Sequence, residues 1–128
     1  MASRILMIED QRYLAMMVED ILVDAGYEVM IAGRVDSAMA LLNTGSFDAA
    51  VLDINLGGET VFPLAQALID RDVPCLLTSA YDTCSIHVAF RGLPILDKPY
   101  RPDRLLRSVG ELLGAAGVLP EGGDATRN

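Results

Sequence analysis

Residues 49–53 read Ala49-Ala50-Val51-Leu52-Asp53, an unbroken apolar run that ends on an acid. A strand with one wet face alternates apolar and polar positions, whereas an unbroken run suits a strand covered on both faces, as inside a parallel sheet. Working outward, the same kind of run recurs at Val29-Met30-Ile31-Ala32 and Ile5-Leu6-Met7-Ile8 on one side. On the other side it recurs at Cys75-Leu76-Leu77 and Ile95-Leu96.

Helix-period stripes lie between the runs. Leu14, Met17, Val18, Ile21, Leu22 and Ala25 share one helical face, and Gly26 follows where a left-handed residue closes a helix. Asp36 to Asn43 predicts a second helix that buries Met39 and Leu42 and ends at Gly45. Leu64, Ala65, Leu68 and Ile69 predict a third, closed by Asp72 and Pro74. The last is the clearest: Pro102 suits a first turn, and Leu105, Leu106, Val109, Leu112 and Leu113 form its buried face. Thr83–Gly92 has length for only about two helical turns, which predicts a short fourth helix. Strand and helix alternating in this way imply right-handed crossovers and a doubly wound α/β sheet.

The 128 residues suit one domain, expected over 3–117, with 118–128 as a flexible tail. Apolar residues make up 52% and charged residues 22%, which excludes a disordered chain. No apolar run approaches the ~18 residues of a membrane helix. Met1-Ala2-Ser3-Arg4 leads straight into a short apolar run and then acids, so no signal peptide and a cytoplasmic location are expected. The net charge of −8 argues against nucleic-acid or anionic-membrane partners. Cys75 and Cys84 have no metal-type spacing; Cys75 reads as core, and Met7, Met16, Met17, Met30 and Met39 read as core and near-core filling. His87 reads as a partly exposed helix residue, and Gly57-Gly58 as a turn without a phosphate-cradle pattern.

In an open α/β sheet the ligand site lies beyond the carboxyl ends of the strands. The residues there are Glu9 and Asp10, then Asp53 and Asn55, then Thr78 and Ser79, and finally Asp97, Lys98 and Pro99. If these ends converge, Glu9, Asp10 and Asp53 repel one another, and a hard divalent cation relieves that repulsion. A carboxylate in such a site can act as a nucleophile toward a phosphoryl group. Lys98, the only lysine among ten basic residues, supplies a cation for the phosphoryl oxygens, and Thr78 a donor.

On Glu9-Asp10, Asp53, Asn55, Thr78 and Lys98-Pro99-Tyr100, the sequence resembles a receiver domain of two-component response regulators, over roughly residues 3 to 115. The resemblance implies a flavodoxin-like (βα)5 fold with strand order 2-1-3-4-5. It implies that Asp53 accepts a phosphoryl group from a histidine kinase or histidine phosphotransfer protein, and that Thr78 and Lys98 contact that group. It implies Mg²⁺ or Mn²⁺ as cofactor, bound directly by Asp10 and Asp53, through water by Glu9, and by the Asn55 carbonyl. It also implies a cis Lys98–Pro99 bond and no catalytic turnover beyond phosphotransfer and autodephosphorylation. Kinase docking is then expected on Gln11, Arg12, Leu14 and the Pro99-Tyr100 turn. An unidentified downstream protein is expected on a face that includes Ile95, Tyr100 and Arg104, because a stand-alone receiver signals by protein contacts.

Three features depart from the usual family pattern. Ile95 stands where many receivers carry an aromatic, the Thr78–Lys98 interval is short, and Gly57-Gly58-Glu59 replaces a proline-containing turn. The combination resembles an atypical receiver subgroup frequent in Alphaproteobacteria, with Thr78-Ser79 for its threonine-glycine pair. It suggests that phosphorylation orders residues 79–92 instead of rotating an aromatic side chain. A rival reading is a receiver-fold binding module that works without phosphorylation. A haloacid dehalogenase-like phosphatase is disfavoured, since Asn55 replaces its second acid and Glu9-Asp10 precede the nucleophile. A flavodoxin-like nucleotide-binding domain is disfavoured by the acidic loop after the first strand.

Overall fold

The computed structural model of the chain describes residues 2–54, 56, 60–79 and 92–117, the last three of these for their backbone only. Asn55, Gly57-Gly58-Glu59, Cys84, His87, residues 83–91 of the expected short fourth helix and the tail 118–128 lie outside the described residues. In chain order the elements are β1 (Arg4–Ile8), α1 (Arg12–Asp24), β2 (Glu28–Ala32), α2 (Val35–Thr44), β3 (Ala49–Asp53), α3 (Phe62–Asp70), β4 (Cys75–Ser79), β5 (Ile95–Asp97) and α4 (Pro102–Gly117). The strands form one parallel sheet in the expected order β2-β1-β3-β4-β5.

Each face of the sheet carries its own core. Leu6, Ile8, Ala50, Leu52, Cys75 and Leu77 cluster with Ala38 and Leu42 of α2 and Leu64, Ala65 and Leu68 of α3. Ile5, Met7, Ala49, Val51, Leu76 and Leu96 cluster with Val18 and Leu22 of α1 and Leu105 and Val109 of α4. Alternate residues of one strand thus enter opposite layers, which is why the runs of β1, β3 and β4 have no polar interruption. Burying a leucine such as Leu52 or Leu77 contributes about 1.5–3 kcal/mol.

Two helix ends use the left-handed backbone. Gly26 has φ 99°, and Tyr27 N donates to Leu22 O at 3.1 Å. Asp72 has φ 59°, and Val73 N donates to Leu68 O at 2.9 Å. Aspartate is among the few side chains that tolerate this region.

Several burial expectations are corrected. On α1, Met17 and Ala25 face solvent while Ala15 joins Val18 and Leu22 inside, so the buried stripe is rotated from the expected one. Met16 and Met30 are exposed as well, leaving Met7 buried and Met39 half-buried against the core. Met30 is exposed because β2 is an edge strand with an alternating pattern and not a doubly covered one. Ile69 is exposed near the end of α3, and Leu106 and Leu113 are half-buried beside the α1–α4 core.

Candidate functional site

The site continues one core layer upward. Two-residue steps lead from Ile5 and Met7 to Glu9, from Ala49 and Val51 to Asp53, from Leu76 to Thr78, and from Leu96 to Lys98. The period of two assigns all four polar residues to the α1–α4 side. Register brings them level: Ile8 pairs with Leu52, Asp53 with Thr78, and Thr78 with Leu96. The ladder extends past the strands, with Glu9 N donating to Ala32 O at 3.0 Å and Lys98 N to Ser79 O at 2.8 Å.

Glu9 is 2% exposed, and Asp53 and Thr78 are each 1% exposed. The Lys98 ammonium lies 2.9 Å from Glu9 Oε1 and 3.2 Å from Asp53 Oδ2, bridging the two carboxylates. Gln11 N donates to the other Glu9 oxygen at 3.1 Å. Asp10 is exposed, and Glu9, Asp10 and Asp53 each offer a carboxylate oxygen within 4.8 Å of the others. The Lys98–Pro99 bond is cis, as expected.

Burial raises the Glu9 pKa above the ordinary value; the Lys98 hydrogen bond and the Gln11 amide oppose this, and the Asp53 charge adds to it. Burial disfavours the Lys98 charge, but the Glu9 hydrogen bond and the two carboxylates outweigh it, so its pKa is raised. Two buried carboxylates share one ammonium with the exposed Asp10 beside them, an excess of negative charge at the site. The donor set fits a hard cation, because carboxylate oxygens suit Mg²⁺ and Mn²⁺. The three carboxylates present their oxygens close enough together for one such cation to be held between them. Glu9, Asp10 and Asp53 would hold it. The Asn55 carbonyl lies outside the described residues.

Glu9, Asp10, Asp53, Thr78 and Lys98 thus converge. The sequence matches the family described as the response regulator receiver domain over residues 5–110. The chain belongs to the response regulator receiver family. The receiver is similar to SdrG from Sphingomonas melonis Fr1, at 36% identity and a TM-score of 0.77, covering 88% of this chain and 97% of that one. It is similar to the chemotaxis response regulator CheY4 of Vibrio cholerae, at 26% identity and a TM-score of 0.79, covering 88% and 100%. It is 28% identical over 115 residues to the regulatory protein VanR of Enterococcus faecium, covering 85% of this chain and 49% of VanR. The chain spans half or less of the length of the curated relatives it matches. Among the described residues of the receiver, no helix is long and apolar enough to cross a membrane.

Two relationships escaped sequence reasoning. Lys98 reads there as a phosphoryl ligand, yet it also pairs with Glu9, 89 residues away. The signal was available: a buried acid needs a partner, and the chain has one lysine. Tyr100, expected on an outer face, instead packs half-buried on the α1–α4 core with its hydroxyl enclosed. Leu14 likewise packs inward, whereas Tyr13 is 88% exposed with Met16 and Met17 beside it. Ile95 is half-buried against the α2–α3 core, and Arg104 is exposed.

Proposed function

We propose that this receiver, taken as residues 3–117, accepts a phosphoryl group on Asp53 from a histidine kinase or histidine phosphotransfer protein. The observation that carries the reading is the Asp53 carboxylate itself, buried at the end of β3 with the Lys98 ammonium 3.2 Å away. An Asp53 oxygen attacks phosphorus, the P–N bond to the donor imidazole breaks, and its electron pair stays on the ring, which leaves neutral with the proton on its other nitrogen. An acyl phosphate results. Lys98 turns toward the phosphoryl oxygens and the Thr78 hydroxyl donates to them, which favours the spread of charge in transfer. Asp10 and Asp53, with Glu9 through water and the Asn55 carbonyl, would hold a divalent cation, which would supply further neutralisation of the phosphoryl charge.

The donor docks on the outward side of α1, where Tyr13, Met16 and Met17 offer apolar surface next to the exposed Gln11 and Arg12. Signal leaves by contact with a downstream protein. The test is intact mass after incubation with acetyl phosphate, with and without Mg²⁺. The wild type is expected to gain one phosphoryl group only with Mg²⁺, and Asp53→Asn none. A wild type that gains nothing from acetyl phosphate or from a phosphorylated histidine protein overturns the reading and leaves a phosphorylation-independent binding module.

A further inference from the structure

The Tyr100 hydroxyl is enclosed and has no hydrogen-bond partner among the described residues. Buried polar groups are nearly always paired, so an orphan asks for an explanation. A phenylalanine would fill the same place on the α1–α4 core without an unpaired hydroxyl. Tyr100 follows Lys98 by two residues and packs on the layer that Glu9, Asp53, Thr78 and Lys98 surmount. Burial raises its pKa first, and the Glu9 and Asp53 charges raise it further, which agrees with a phenol that stays protonated near both acids.

Lys98 serves two carboxylates at once, at 2.9 and 3.2 Å. A phosphoryl group on Asp53 adds negative oxygens that compete for the same ammonium. Glu9, nearly without solvent, then loses the donor at its Oε1; the Gln11 amide and the cation's water remain to it, and a buried carboxylate oxygen short of a hydrogen bond is costly. We propose that Tyr100 is a positioning residue for the loaded site: its hydroxyl donates to the Glu9 carboxylate when Lys98 turns to the phosphoryl group on Asp53. The proposal rests on the phosphoacceptor reading above. In the free protein Lys98 holds Glu9 and the phenol waits; in the loaded protein the two donors have exchanged roles.

The chain has four tyrosines and no tryptophan, so the long-wavelength edge of the near-ultraviolet absorbance, beyond the phenylalanine bands, reports on phenols alone. Wild type and Tyr100→Phe are compared with Mg²⁺ before and after loading with beryllofluoride, and after phosphorylation by acetyl phosphate. Loading is expected to red-shift a tyrosine band in wild type, and Tyr100→Phe is expected to lack that shift. The variant's acyl phosphate is expected to decay about tenfold faster, the factor carried by one hydrogen bond to a charged group. Its unloaded melting temperature is expected to be equal or higher, since no bond is lost there. An identical shift and lifetime in Tyr100→Phe overturns the proposal while the phosphoacceptor reading stands. A wild type that takes up neither ligand overturns both. Should Tyr100→Phe not fold, carbon-13 labelling of the wild-type tyrosine rings follows Tyr100 directly, and a signal unchanged on loading overturns the proposal.

Discussion

The two ends of the sheet solve the same problem in opposite ways. At the amino end, Asp48 accepts from Arg4 N at 2.7 Å, and the Arg4 guanidinium donates to Ser46 O at 2.9 Å. That guanidinium also lies 4.9 Å over the Phe47 ring and 3.7 Å from Glu28. Asp48 and Glu28 are exposed, and each has a separate donor on Arg4, the backbone N for one and the guanidinium for the other. At the carboxyl end, Glu9 and Asp53 share one ammonium and are almost fully buried. Matched wet charges fasten the strands; unmatched dry ones leave the site ready to take a cation and an electrophile.

Removing Lys98 breaks this contrast most severely. Lys98→Met leaves two buried carboxylates facing each other and is expected to cost about 3–5 kcal/mol in urea unfolding without divalent cations. Mg²⁺ is expected to restore part of that loss by binding the folded form. A cost below about 1 kcal/mol would make the carboxyl end no different from the amino end.

Alkaline pH sharpens the comparison, because each half of the sheet holds a group that resists losing its proton. Burial pushes the Cys75 thiol, at the start of β4, from 9.0 to about 12. Its stabilising contribution is therefore intact below pH 9 and lost as pH climbs toward 12. The raised Lys98 pKa acts with the same sign, holding below the ordinary 10.5 and failing above it. Stability is expected to fall first from near pH 9, by on the order of 2 kcal/mol where Lys98 begins to contribute. In Cys75→Ala the onset is expected to move upward, measured as the urea midpoint against pH; an unmoved onset removes Cys75 from the account.

The smallest effect belongs to the amino end. Arg4→Met is expected to cost less than about 1 kcal/mol in urea unfolding and to show no response to Mg²⁺. A Mg²⁺-dependent change there would mean that the two ends are coupled through β1.

What the sequence made legible follows from what it repeats. β1, β3 and β4 were readable because coverage on both faces keeps polar residues to the strand ends. β2 was misjudged on burial because an edge strand can hold exposed Met30 and half-buried Ile31 within the same apolar run. The face of α1 was misplaced for a related reason: Tyr13 through Val18 are all apolar, so periodicity there supports more than one stripe. Ala15 won since a small residue lets the helix approach the sheet. The acids and Lys98 were visible as strand-end residues, but the Glu9–Lys98 pair depends on registers that join β1 to β5 through two other strands. The Tyr100 hydroxyl was hidden because enclosure of one atom has no signature in residue type.

The chain offers amine chemistry a single side-chain address, Lys98, in the same place where Asp53 and Glu9 meet. Acylating reagents, surface-coupling esters and amine cross-linkers find only the terminal amine elsewhere on this chain. Deep in its ion pairs, Lys98 reacts slowly, so modification at that one residue becomes a chemical record of how often the site comes apart.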